Sequence, residues 1–114
     1  MRLWTLAAIV TIATQLGCPS DPDDDGWTEA FDAEETGWLL NAWGPSADHL
    51  FAVGGTPESG VIMEKLDGQW AEMDLGVDVP LLNWIFGFGD DDLIAVGREG
   101  TIIRWDGSSW TLQE

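Results

Sequence analysis

The sequence predicts an all-β chain made of two four-stranded repeat units plus one extra outer strand. Three observations predict it. Apolar runs of four to eight residues alternate with Gly, Asp, Ser and Pro clusters from Trp27 onward, which is the pattern of short strands and tight turns. No stretch keeps a helical apolar period for three turns. Finally, Trp27, Leu39, Gly44, Asp48, Leu50, Ala52, Val53 and Gly54 align at one constant spacing with Trp70, Leu82, Gly87, Asp91, Leu93, Ala95, Val96 and Gly97. The chain repeats itself.

Residues 1–17 read as an export signal, with Arg2 as a short positive region and an apolar run over 3–16. A spanning helix needs about 20 apolar residues, so this run reads as cleaved rather than embedded. Cys18 follows directly and is the only cysteine, which rules out a disulfide framework. Residues 18–26 form an acidic, proline-bearing tether that cannot bury enough apolar surface to order itself. Asp21, Asp23, Asp25 and Gly26 also follow the spacing of an EF-hand-type calcium loop, with Asp32 at the closing position. Thr28 stands where that loop has an aliphatic residue and no amphipathic helix precedes it, so a solvated spacer is the reading and no metal is assigned.

Residues 27–114 form the β-repeat module, its copies covering about 37–75 and 80–114. In the first copy the strands fall at 39–43, 50–53, 61–66 and 70–73, and in the second at 82–88, 93–96, 101–105 and 110–113. Trp27 to Phe31 match the outermost strand alone and supply the extra one. The glycines after Val53 and Val96 are expected at positive φ in hairpins, and Asp67-Gly68 and Asp106-Gly107 are strong turn signals. The continuous apolar run over 93–96 predicts a strand covered on both faces. In the third strand of the second copy, Ile102 and Arg104 point one way and Ile103 and Trp105 the other.

A repeat period of about 40 residues is that of four-stranded propeller blades. The unit resembles the tandem repeat of bacterial secreted and lipid-anchored propeller proteins, WGxxxDDxxAVGxxGxIxxWDGxxW. Trp43, Gly44, Asp48, Ala52, Val53, Gly54, Asp67, Gly68 and Trp70 carry the likeness in the first copy. Gly87, Asp91, Asp92, Ala95, Val96, Gly97, Gly100, Ile102, Trp105, Asp106, Gly107 and Trp110 carry it in the second. Phe86 stands for the Trp before Gly87, and Leu66 for the Trp of the Trp-Asp-Gly turn. The N-terminus resembles bacterial lipoprotein precursors, in which the chain is cut before a cysteine that is then acylated. Gly17 and Cys18 fit that pattern, while Gln15 and Leu16 depart from it. The resemblances imply a lipid on Cys18, a cell-envelope location, and an incomplete propeller, since about four to eight blades close a ring.

The formal net charge of −17 argues against nucleic acid, whose binding needs Lys and Arg against phosphate. Catalysis is not expected. His49 is the only histidine and is read as a loop residue; the serines lie in turns without a nucleophile elbow; Asp67 and Asp106 recur as turn residues. No cofactor is implied, and one His with one Cys excludes a zinc site. The eight tryptophans suit packing or contact with a sugar or partner. Trp38 and Trp84 have non-aromatic counterparts, Leu81 and Asn41, and are the candidates for ligand contact. The expected function is an envelope lipoprotein with a binding or structural role, anchored to the membrane by its lipid and able to self-associate through exposed blade faces. The alternatives are a fragment or remnant of a larger propeller protein, a hydrolase or another, and a homo-oligomeric sugar-binding propeller.

Overall fold

The computed structural model describes residues 27–114. The signal segment, Cys18 and the tether with its calcium-like spacing lie outside the described residues. The rest is all-β: two four-stranded antiparallel sheets, each a simple meander. The first holds β1 (Trp38–Ser46), β2 (His49–Thr56), β3 (Ser59–Leu66) and β4 (Gln69–Glu72). The second holds β5 (Leu82–Gly89), β6 (Asp92–Gly97), β7 (Ile102–Trp105) and β8 (Trp110–Leu112).

All eight expected strands of the two copies are present, and the turns explain where they stop. Asp67 (φ 52) and Gly68 (φ 79) are both left-handed, which makes the β3–β4 connection a two-residue turn whose twist suits a hairpin. The longer insertion of the first copy is no loop. Thr56 pairs with Ser59 and Gly55 with Gly60, so the extra residues lengthen the β2–β3 ladder and leave Pro57 and Glu58 to turn.

Two expectations are corrected. Residues 27–31 are not a strand. An outermost strand pairs only with the third strand of its own sheet, and the described chain supplies none at that end. Gly54 and Gly97, directly after Val53 and Val96, are needed for space rather than for positive φ, which in these connections falls on Gly55 (φ 116) and Gly100 (φ 73). A Cβ on Gly54 would fall on the Trp38 carbonyl, and one on Gly97 on the Leu81 carbonyl. Both sit opposite a register shift, at Leu39/Asn41 and Leu82/Trp84, where the bulging partner strand comes close.

The sheets stack through one face of each. Phe51, Val53 and Ile62 of the first meet Leu82, Ile85, Leu93, Ala95, Ile103 and Trp110 of the second, with Val79 of the connector completing a buried cluster. Each such aliphatic or Phe side chain contributes about 1.5–3 kcal/mol when fully buried. On the far face of the first sheet Ala52, Val61 and Met63 are buried beneath Phe31, Leu39 and Trp70, the rings of Phe31 and Trp70 being 5.3 Å apart.

Strand register shows which positions of the sheets are equivalent. Asn41 and Trp84 oppose Val53 and Val96; Trp43 and Phe86 oppose Phe51 and Ile94; Ile62 and Ile102 again oppose Val53 and Val96. The face of the first sheet that packs on the second is therefore the equivalent of the second sheet's solvent face. Conversely, Leu82, Ala95 and Ile103, which receive the first sheet, correspond to Leu39, Ala52 and Met63 on its far side. The sheets are stacked in series, front of one against back of the next.

Candidate functional site

Serial stacking leaves the front of the second sheet without a neighbour among the described residues. On β5, Trp84, Phe86 and Phe88 alternate along that face and are 59%, 49% and 70% exposed. Beside them, Ile94 and Val96 are half-buried and Ile102 is exposed. The expectation that residues 93–96 are covered on both faces is thus corrected: Leu93 and Ala95 are buried, their alternates only half so. The rings of Phe86 and Phe88 meet edge to face with centroids 5.4 Å apart, and Phe86 lies 6.1 Å from Trp43. The result is a contiguous apolar strip, the kind of surface that marks an interaction site.

The packed counterpart shows how such a front is built to work. Trp43 lays its indole over Gly87, so close that a Cβ there would clash with the ring's Cζ3–Cη2 edge. The Asn41 side-chain oxygen accepts the Ile85 backbone N–H at 3.0 Å, a hydrogen bond between the sheets. At the free front the same two positions hold Phe86 and Trp84.

Trp84 therefore belongs to the strip, at its end beside Val96 and Ile102. Trp38, the other candidate, starts β1 opposite Gly55 and is 59% exposed, but it belongs to the first sheet. The two do not form one aromatic site. Phe86 and Phe88 were missed as site residues although their alternation with Trp84 is visible in the sequence, because a strand's apolar alternates look the same whether covered or open.

No known family, characterised protein or solved structure matches this chain.

The polar groups have structural tasks. His49 begins β2 rather than lying in a loop, and its Nε2 pairs with Glu64 Oε1 at 2.7 Å. Its Nδ1 is 3.9 Å from Asp90 Oδ2 of the second sheet, and its ring lies 4.7 Å from Phe51. The equivalent pair in the second copy has its acid on the other strand, Arg104 donating to Asp92 at 2.9 Å. Asp106 caps the β7–β8 turn: its Oδ1 accepts the Ser109 N–H, the Ser108 N–H and the Ser108 hydroxyl, each at 2.9 Å. The Ser109 and Ser108 donors stabilise the ionised carboxylate and hold its pKa below the usual value. Asp32, the last position of the calcium-like spacing, accepts the Glu34 N–H at 3.0 Å.

A depression of about 590 Å³ runs between the edge of β3 and β4 and the connector, with Glu58, Glu72, Asp74 and Asp78 on its walls. Its walls carry acids and no base. Among the described residues no group of three or more His, Cys, Asp or Glu side chains is placed to hold a metal ion.

Proposed function

We propose that this chain is a lipid-anchored cell-envelope protein whose residues 27–114 are a propeller-type repeat module with a binding or structural role and no catalytic one. The observation that carries the module reading is the serial stacking. Each four-stranded meander offers a front with a large aromatic beside its inner edge and a back with a glycine at the matching place, as successive blades around an axis require. The described residues hold two such units, fewer than the about four to eight that close a ring, and the apolar front of the second is surface for a partner to cover. Aromatic side chains supply most of that surface, and they give large contact area with little conformational entropy to lose. The anchor rests on the apolar run ending in Gly17-Cys18.

The test takes both halves together. A bacterium expressing the chain is fed an alkyne fatty acid, and the protein is followed by click labelling and membrane fractionation. The wild type incorporates label and sediments with membranes; Cys18→Ser does neither. Label-free wild-type protein in the soluble fraction sinks the anchor. A module that turns over a glycosidic or ester substrate panel sinks the non-catalytic role.

A further inference from the structure

We infer that the free front of the second sheet docks onto the back of the first sheet of a second copy of this chain, extending the stack head to tail. The inference rests on the repeat reading above and names the partner of the open strip. Three observations carry it. The strip consists of the residues equivalent to those that already make the interface inside the chain: Trp84, Phe86, Ile94, Val96 and Ile102 for Asn41, Trp43, Phe51, Val53 and Ile62. Part of the surface it needs is also open in the chain. Gly44, Leu50 and Ala42 on the back of the first sheet hold the places of Gly87, Leu93 and Ile85, and Ala42 is exposed while Gly44 and Leu50 are half-buried. The knob and its socket are both kept, Phe86 in place of Trp43 and Gly44 in place of Gly87, so the contact seen once within the chain is available a second time between chains.

An interface of this kind is heterologous: it uses two different surfaces, leaves one of each free, and closes only if the rotation brings the ends together. If the stack closes at about four to eight sheets, the assembly holds about two to four chains. Phe31 and Trp70 already pack over Ala52, Val61 and Met63 of the receiving face, so docking is confined to the part around Ala42, Gly44 and Leu50. Trp84 stands where Asn41 makes its hydrogen bond, so the partner's Ala42 N–H is offered an indole rather than an amide oxygen.

The experiment measures the mass of the full chain, extracted in detergent, by detergent-matched analytical ultracentrifugation. The wild type is expected to run as a multiple of the chain mass. Phe86→Glu and Ile102→Lys, both at exposed positions of the front, each weaken association by about tenfold or more, as a charge forced into an interface centre does. Ala42→Glu, on the opposite surface, weakens it equally, because the front of one copy meets the back of another. A symmetric front-to-front dimer ignores Ala42→Glu, and that outcome overturns the proposal. Trp84→Asn restores the side chain of the packed counterpart and keeps the assembly; loss of association shows mere apolar stickiness and also overturns it.

Circular dichroism melts of each variant separate lost docking from lost folding, and Ile102→Lys stands in if Phe86→Glu melts early. A wild type that is monomeric overturns the docking alone. The repeat reading fails separately, if the contact between Trp43 and Gly87 within the chain proves absent.

Discussion

Gly87→Ala is the sharpest perturbation of the stack. The added Cβ would lie well under 3.0 Å from the Trp43 indole and 2.6 Å from Leu93 Cδ2. Both neighbours are braced by others. Trp43 is stacked on Phe51 with centroids 6.5 Å apart and tilted on Phe86, and Leu93 is fully buried. Overpacking a filled interior costs about 1–3 kcal/mol. Against it, Ala in a strand gains about 0.5–1 kcal/mol over Gly by restricting the unfolded chain. The difference spans about 0–2.5 kcal/mol with a central loss of about 1 kcal/mol, which at about 4–8 °C per kcal/mol for a domain of this size lowers the Tm by about 4–8 °C.

Thermal melts followed by near-ultraviolet circular dichroism read the loss, and a double-mutant cycle assigns it. Trp43→Leu removes the obstructing ring, so Gly87→Ala should cost much less in that background, with a coupling of about 0.5–3 kcal/mol. Strict additivity with Trp43→Leu would refute the stacking of Trp43 on the second sheet.

Other perturbations address separate parts of the molecule. Asn41→Ala removes the acceptor of the Ile85 N–H and should destabilise by about 1–3 kcal/mol, read by urea unfolding; an unchanged midpoint denies the hydrogen bond between the sheets. The Asp106 carboxyl should titrate below 3.8 in an NMR pH series. Because its pKa is depressed by folding, the stability it contributes is complete above the ordinary aspartate value and is lost as pH falls through the folded one; Asp106→Asn should flatten that acid limb. Leu93→Ala, which empties a fully buried position of the shared cluster, should cost about 2–5 kcal/mol and unfold both sheets in one transition; two separate melts would show that the cluster does not unite them.

The strands were legible because their landmarks are local. Asp-Gly before Trp70 and Ala-Val-Gly after an apolar pair depend on φ values and on close approaches within one hairpin, and a single chain displays both. What escaped depends on partners. Residues 27–31 carry the sequence of an outer strand, but a strand exists only where another lies beside it. Residues 93–96 carry the continuous apolar run of a doubly covered strand, yet the second cover is a neighbouring sheet that the described residues lack. For the same reason Trp84 could be picked out as unusual against Asn41, while Phe86 and Phe88 passed as ordinary strand residues. His49 was misplaced because its role, joining Glu64 across the ladder and approaching Asp90 between sheets, involves residues distant in sequence.

The central claim is that the sheets stack front to back, and isotope-filtered NOE spectroscopy on mixed labelled and unlabelled chains tests it most directly. Within one chain, the account predicts cross-peaks from the Trp43 indole to the Gly87 Hα, and from the Phe51 ring and Val53 methyls to Leu93 and Ile103. Any contacts of the Ile94 and Val96 methyls with a first sheet should appear only between chains. Cross-peaks within one chain joining Phe51 or Val53 to Ile94 or Val96 would mean that the two equivalent fronts face each other, and the serial stack would be wrong.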